Sequence, residues 1–372
     1  MEIYYIHSSK IESNTPSITF ILNRMKGFEK NRININFVFR GEKNFDVKSF
    51  LKDKYNVEYD FKYVKIQLIE VKEKRHFYKK VKNMLKKTNK KEKVILTRTI
   101  GLVPHLLNIR KKINARVYFE THDFFYKLWL RKDIKRRKKI KQYIIEKLFF
   151  KKLDGLVCVS ENQEKLYKKY LNIPIKAIPC GMDLVEPVLN ERENILAYIG
   201  SLDSHKGISN IISMAKILPS KYKILIIGGK KKEKIDNLNK ILKENGILDR
   251  ITITGWINKK ELNNYLKRIK IGLLPLVENF FNCYITSPLK IYDFMSSGVP
   301  IIASDIPTIN EFICDEKNGY FFDWESREHL KYILKQIEDK RKDYKFIEEN
   351  QDIAKKFLNK KKSMELFKFL TD

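Results

Sequence analysis

The chain has 372 residues, 43% hydrophobic and 12% aromatic, which is too long for one ordinary core and too apolar for a disordered chain, so two globular domains are expected. Lys and Arg number 76 against 45 Asp and Glu, a formal charge of +31. That excess asks for an anionic partner, whether nucleic acid, an anionic membrane surface or a phosphorylated ligand. It is mostly Lys and comes with much Ile and Asn, a bias that coding composition also produces, so charge alone does not choose among them. The four cysteines, Cys158, Cys180, Cys283 and Cys314, are scattered without a CxxC pair and read as reduced thiols. The N-terminal MEIYYIHSSK lacks a signal-peptide pattern. No apolar run approaches the roughly 18 residues of a membrane span.

In chain order, Glu2 to His7 reads as a strand, Ser8 to Thr15 as a polar loop and Pro16 to Phe28 as a helix with Ile18, Phe20, Ile21 and Met25 on one face. Thr15-Pro16 has the form of a cap followed by proline at the first helical position. Strands follow at Asn34 to Phe39 and Tyr63 to Ile69, then a basic helix His76 to Lys87 and the strand Lys93 to Thr97. A helix at Leu102 to Ile113, the strands Ala115 to Phe119 and Gly155 to Val159, a helix from Ser160 and a short strand Lys176 to Pro179 complete the first half. The Cys180-Gly181-Met182-Asp183 segment, Pro187 and the apolar-poor Asn190 to Asn194 mark a domain boundary.

A second alternating series begins with strand Ile195 to Ile199 and helix Gly207 to Leu218, then strand Lys223 to Ile227 and a basic helix to Glu244. Strand Ile251 to Thr254, helix Lys259 to Arg268 and strand Ile271 to Pro275 follow. Ser287 to Glu311, SPLKIYDFMSSGVPIIASDIPTINE, reads as loop, helix, turn and a buried strand from Val299 to Ala303. Pro288 suits the first helical position and Gly298 the helix end. The free N–H groups of that helix start, with Lys290 beside them, suit an anionic ligand, and Asp293 is placed to reach sugar hydroxyls. An ordinary helix–strand unit with a surface Lys and Asp fits the same residues. The final helices are Arg327 to Lys340 and Tyr344 to Leu370. The alternation predicts an α/β chain of two doubly wound parallel sheets, with ligands beyond the C-terminal ends of the strands in a cleft between the domains.

The succession AYIGSLDSHKG, KILIIGG, ITITGW, LLPL, SPLKIYDFMSSGVPIIASDIPTINE and NGYFF over about 185 to 325 resembles the C-terminal domain of a retaining GT-B glycosyltransferase. More narrowly it is similar to glycosyltransferase family 4, the group 1 type, in the variant whose helix opens Ser-Pro-Leu-Lys. YFETHD at 118–123, VCVSE at 157–161 and AIPCGMD at 177–183 are fainter marks in the first half. The resemblance implies two Rossmann-like doubly wound domains facing a central cleft. Residues 1–185 would form the acceptor-binding domain and 186–345 the nucleotide-sugar domain, with a C-terminal helix, 346–372, crossing back to the first.

Residue by residue, the resemblance puts Lys206 on the nucleotide diphosphate, where a cation and helix-start amides neutralise the leaving phosphate. Gly200 and Ser201 belong to the same strand-end loop, and Ser201 stands where relatives often carry Arg. Asp293 takes the place of a Glu that accepts from the ribose hydroxyls. Ile285 falls where the family puts an earlier Glu, so Asn282, Tyr284, Thr286 and Ser287, or their N–H groups, would hold the sugar. Pro288, Leu289 and Lys290 supply the helix start. Gly228-Gly229 and Gly255-Trp256 would surround the base, with Trp256 either stacking on it or plugging a core. His122, at a strand end, would stand beside the donor sugar. Ser160 is either a cleft contact or a helix cap. Ser13, Asn14 and Thr15 form the first strand-to-helix loop, where relatives carry glycines. Glu311 and Asn318-Gly319 fit the fold signature.

No Asp-x-Asp and no metal-ligand spacing occurs, so no metal and no cofactor beyond the donor substrate is expected. Tyr126 to Lys152 holds twelve Lys and Arg against Asp133 and Glu146, interleaved with aromatic and aliphatic residues, and His76 to Lys93 is similar. Basic amphipathic stretches of this kind suit an anionic leaflet. The expectation is a metal-independent glycosyltransferase taking a nucleotide-diphosphate sugar to a glycan or polyprenyl-linked acceptor. It would act in bacterial cell-surface polysaccharide synthesis, cytoplasmic and peripheral on the inner membrane, with no nucleic acid as partner. The alternatives are a catalytically inert relative that binds nucleotide sugar and a basic nucleic-acid-binding protein.

Overall fold

The computed structural model describes residues 1–13, 15–58, 60–88, 91–132, 134–184 and 192–372. In the first half these are β1 (Glu2–Lys10), α1 (Pro16–Lys30), β2 (Ile35–Arg40), α2 (Val47–Tyr55), β3 (Val64–Ile69), α3 (Lys74–Lys87) and β4 (Lys93–Thr97). They continue as α4 (Val103–Ile109), β5 (Ala115–Glu120), α5 (Arg136–Phe149), β6 (Gly155–Cys158), α6 (Glu161–Lys168) and β7 (Ile175–Ala177). The strands pair in parallel in the order β3-β2-β1-β4-β5-β6-β7. Both faces of this sheet are covered, which is why strands such as Lys93–Thr97 are buried throughout and read as continuous apolar runs.

The second half repeats the plan with β8 (Glu193–Ile199), α7 (Ile208–Ile217), β9 (Lys223–Ile227), α8 (Lys232–Glu244), β10 (Ile251–Gly255), α9 (Lys259–Arg268) and β11 (Ile269–Leu274). Then come α10 (Phe280–Tyr284), α11 (Leu289–Ser296), β12 (Ile301–Ala303), β13 (Gly319–Phe321), α12 (Arg327–Glu338), α13 (Lys340–Lys355) and α14 (Asn359–Thr371). Its parallel sheet runs β10-β9-β8-β11-β12-β13. In both sheets the strand order reverses at a central pair, β1/β4 and β8/β11, and a crevice opens at the C-terminal ends of those strands. This is the GT-B architecture. The proposed boundary at 185 and 186 lies outside the described residues.

The structure departs from the sequence pattern at several places. Val47–Tyr55 is a helix that the pattern missed, because its apolar positions are sparse. Asp46 caps it by accepting from Ser49 N at 3.0 Å, and Asn56 ends it in the left-handed region. Helix α10 and the three-residue β13 are too short to show a period. Pro288 is the N-cap of α11, so helical positions begin at Leu289 rather than at the proline. The single helix expected over Tyr344 to Leu370 is broken between α13 and α14. There Met182 N donates to Phe357 O and Asn359 N to Met182 O, each at 2.8 Å, so strand-like pairing replaces a helical turn.

Beyond that break α14 packs on α1 of the first domain. Leu366 and Leu370 join its core, Ser363 Oγ donates to Arg24 O at 3.1 Å, and Gly27 makes the approach possible. A Cβ at Gly27 would lie 2.0 Å from Ser363 Oγ and 2.1 Å from Asn359 O. The domains also share apolar cores. Phe20, Val159, Cys180 and Met182 of the first domain pack with α11 and β12 of the second, and Ile285 enters the core of the first domain.

Candidate functional site

At the end of β5, Glu120 is fully buried and ion-paired to Arg24 and Arg98 at 3.0 Å each, with Tyr5 OH also donating to it. Burial alone would raise its pKa, but the two guanidiniums more than offset this and hold it below the ordinary value. This network fixes the strand end that carries His122 two residues on. His122 is open to solvent yet crowded by protein on its other sides. That crowding, with the charges of Arg98 and Lys139, lowers its pKa, so the imidazole is neutral at pH 7. His7, at the end of β1, is buried and also lowered, to about 3, by burial and then by Arg98 and His122. Sequence reasoning missed His7, Arg24 and Arg98, because their meeting depends on the parallel pairing of β1, β4 and β5.

Opposite them, Lys206 stands in the turn Ser204–Lys206 after β8, one residue before Gly207 caps α7. The turn precedes the helix, so Lys206 is not itself in its first turn. Gly207 has φ 81°, and a Cβ there would lie 1.6 Å from Pro275 O, so the loop is pressed against the end of β11. Lys206 is half-buried, burial lowers its pKa, and among the described residues no carboxylate pairs with its Nζ. The nitrogen lies 6.0 Å from the centre of the Phe281 ring, which Arg131 also approaches, with Cζ at 5.4 Å. Arg131 is paired with Asp123, the residue after His122. Phe281 therefore stands between Lys206 and the His122 loop.

The other donor-side residues form a second part of the cleft. A cavity of about 300 Å³ between α1 and α2 of one domain and α9 and α11 of the other is lined by Trp256, Leu289, Lys290 and Asp293. Asn23, Lys26, Lys54 and Asp183 close it from the first domain. None of these four was predicted: Lys54 lies on the unrecognised α2, and Asn23, Lys26 and Asp183 reach the cavity only through the packing of the two domains. Trp256 is exposed, with Lys54 Nζ 5.8 Å and Lys230 Nζ 6.0 Å from its ring centre, so it is not a hydrophobic plug. Asp293 receives Lys259 Nζ at 2.7 Å and Lys290 Nζ at 3.6 Å. Burial would raise its pKa, but these lysines lower it, so it is an ionised acceptor. Neither Lys206 nor His122 lines this cavity.

Gly200, Gly228 and Gly255 converge at the ends of β8, β9 and β10: Gly228 pairs with Gly255, and Gly200 N donates to Ile227 O at 2.9 Å. Gly229 follows in the same turn, with φ 93°. Ser201 is exposed and donates to Asp203 Oδ2 at 2.7 Å. Thr286 and Ser287 lie just before α11, with Thr286 N bonded to Phe281 O at 2.9 Å. Asn282 is fully buried and donates to His205 O and Val277 O, which ties the Lys206 turn to α10. Ile285 is 1% exposed; its packing into the first domain occupies the place where the family pattern has Glu.

Ser160 is buried, accepts from Gln163 N at 3.2 Å as the cap of α6 and donates to Tyr284 O at 3.4 Å. Its hydroxyl is thus committed to structure. Glu311 reaches from the second domain to the same helix start and accepts from Glu161 N, Asn162 N and Asn162 Nδ2 at 3.0, 3.0 and 2.7 Å. Ser13 is exposed, Asn14 lies outside the described residues, and Thr15 occupies the N-cap of α1 without a side-chain capping bond. Among the described residues no group of three or more His, Cys, Asp or Glu could hold a metal ion.

Residues 184–353 match the family model described as glycosyl transferases group 1. A comparison with curated protein sequences finds no match. Among solved structures, Anabaena Alr3699/HepE in complex with UDP is similar over all of both chains, with 13% identity and a TM-score of 0.74. S. aureus TarM, with fondaparinux, alpha-GlcNAc-glycerol and UDP, is similar over all of both chains at 15% identity and a TM-score of 0.74. The lipopolysaccharide outer core galactosyltransferase WaaB matches over 100% of this chain and 99% of its own, at 16% identity and a TM-score of 0.68. At these identities the likeness is one of fold.

Proposed function

We propose that the chain transfers a sugar from a nucleotide-diphosphate donor to a glycan or lipid-linked acceptor with retention at the anomeric carbon. The observation that carries this is Lys206. A half-buried ammonium whose pKa burial depresses more than Asp203 raises it, with no carboxylate in ion-pair contact among the described residues, is costly to keep unless an anion comes to it. The group 1 glycosyl transferase match around it supports reading that anion as the donor diphosphate. The base would lie against Trp256 and the turns at Gly229 and Gly255, and the ribose hydroxyls would donate to Asp293. The diphosphate would lie between Lys206 and the N–H groups that open α11. The acceptor oxygen forms its bond to the anomeric carbon on the face from which the phosphate leaves. The sugar–phosphate bond breaks, and the departing phosphate oxygen takes the acceptor's proton. Lys206 stabilises the charge that grows on that oxygen. Neutral His122 would hold a sugar hydroxyl at the opposite wall. Charge neutralisation by Lys206 and the helix start supports a metal-independent reaction.

Similar solved structures captured with UDP make UDP-sugars the first donors to try. The similar lipopolysaccharide outer core galactosyltransferase favours a cell-surface polysaccharide acceptor, reached from the cytoplasmic face of the inner membrane. A nucleotide-sugar panel read by thermal shift, followed by transfer assays with Lys206→Ala, tests this reading. The variant should fold normally, bind UDP more weakly and lose at least about 100-fold in kcat. Near-normal turnover would remove the phosphate role. Ile285, buried where the family pattern has Glu, favours a second reading, an inert nucleotide-sugar binder. That protein would bind UDP-sugar with no turnover against any acceptor.

A further inference from the structure

The outer face of α5 is apolar where a soluble helix is polar. Ile140, Ile144 and Leu148 are 46%, 45% and 53% exposed, and their spacing of four puts them in one stripe about 12 Å long. Trp129, 49% exposed, belongs to the turn Leu128–Leu130 that packs against α5. Of the large exposed apolar side chains on the described surface, four gather here, which is more than scatter accounts for. The surroundings are basic. Arg137, Lys141, Lys151 and Lys152 are exposed beside the stripe. On the neighbouring α4, the His105 pKa is lowered by partial burial and then by the charges of Lys82 on α3 and Lys141 on α5. The sequences of α3, α4 and α5 contain one acid, Glu146, and it is 1% exposed. The exposed faces of these three helices thus offer cations and aliphatic groups with no carboxylate.

The stripe also has a position relative to the cleft. Lys139, one residue before Ile140, has its Nζ 5.2 Å from the ring centre of Phe125, in the loop that carries His122. The apolar stripe therefore starts at the rim of the cleft, on the His122 side, and runs away from it.

We propose that this face of α5, with Trp129, docks on an anionic lipid surface and sets the His122 end of the cleft at the height of the lipid headgroups. The docking stands on the stripe and its basic border; its orientation toward an acceptor rests on the glycosyl-transfer reading above. Nucleic acid would satisfy the lysines but offers no partner for three aliphatic side chains, whereas a leaflet interface takes both.

The test uses the full chain with vesicles of equimolar phosphatidylglycerol and phosphatidylcholine, against phosphatidylcholine alone. Wild type should sediment with the anionic vesicles and not with the neutral ones. The Ile140→Gln/Ile144→Gln/Leu148→Gln variant should lose at least about tenfold in vesicle affinity while keeping its melting temperature and its UDP affinity. The difference spectrum between wild type and Trp129→Phe should shift to the blue on binding. Wild type that ignores both vesicles overturns the proposal, and so does a triple variant that binds as wild type does. A triple variant that turns a wild-type dimer into a monomer at unchanged vesicle affinity overturns it too, by assigning the stripe to self-association. Nucleotide-sugar binding separates the two claims: vesicle docking by a chain that binds no member of the nucleotide-sugar panel would sink the transfer reading alone, and nucleotide-sugar binding without vesicle docking would sink this one alone.

Discussion

Replacing Glu120 by Gln tests the network under the His122 strand end. Glu120 is 0% exposed, Arg24 1% and Arg98 5%. The carboxylate accepts from Arg24 Nε at 3.3 Å, Arg24 Nη2 at 3.0 Å, Arg98 Nη1 at 3.0 Å and Tyr5 OH. Gln keeps the shape and removes the negative charge, which leaves two buried guanidiniums facing one another with no counter-ion. Breaking a buried pair in this way costs about 3–5 kcal/mol. With a urea m-value of about 2 kcal/mol/M, the unfolding midpoint of the first domain should fall by roughly 2 M. A two-domain chain is not bound to one two-state transition, so the unfolding should be followed at Trp129, the single tryptophan of the first half. A midpoint shift below about 0.5 M would refute the argument. Arg24→Met/Glu120→Leu/Arg98→Met should regain most of the lost stability, because an apolar triad needs no counter-ion. Transfer should nonetheless stay impaired, since the strand end bearing His122 has lost its anchor, while UDP binding to the second domain is unchanged.

His7 makes the first domain acid-sensitive. Its folded pKa is about 3 against an ordinary 6.5. The stability it contributes is therefore complete above pH 6.5 and falls as pH drops from there toward 3, because the unfolded chain takes the proton first. At about 1.4 kcal/mol per pH unit, roughly 2 kcal/mol is gone at pH 5. His7→Gln should flatten the urea midpoint between pH 6.5 and 5, and an unchanged slope would show that His7 is not the sensor. Glu311→Ala deletes an acceptor of three N–H groups across the domain interface and should weaken that contact by about 1.5–3 kcal/mol. Small-angle scattering should then show a larger radius of gyration without donor, and an identical curve would count against a latch. Chelation with EDTA should leave the transfer rate within about twofold of its value, whereas a strict divalent-cation requirement would contradict charge neutralisation by Lys206.

Much of the fold was legible because parallel strands buried on both faces leave uninterrupted apolar runs, as at Lys93–Thr97 and Lys223–Ile227. Twelve strands could be read this way, and their alternation with helices implied two doubly wound sheets. What escaped is short or set by contact. Helix α2 is held by a cap and by packing rather than by periodicity, β13 is three residues long, and at the helix break Leu358 pairs with Met182 from far earlier in the chain. The basic stretch 126–152 and its interleaved apolar residues were visible, but not which of those residues face outward. The structure turns Ile145 and Phe150 inward and leaves Ile140, Ile144 and Leu148 outside.

By itself the sequence determined the succession of elements and the local chemistry of each loop: a lysine before a glycine at the start of α7, a proline-capped α11, a histidine just past β5. Those properties are local, decided by residues a few positions apart. Tertiary structure decided which loops face one another. It brought Arg24, Arg98, Glu120 and Tyr5 from four elements into one buried network. It closed the Trp256 cavity with Lys54 of a helix about 200 residues earlier in the chain, and it turned Ile285 into a core residue of the other domain. Such meetings depend on strand order and domain packing, in which separation along the chain carries no information about distance in space.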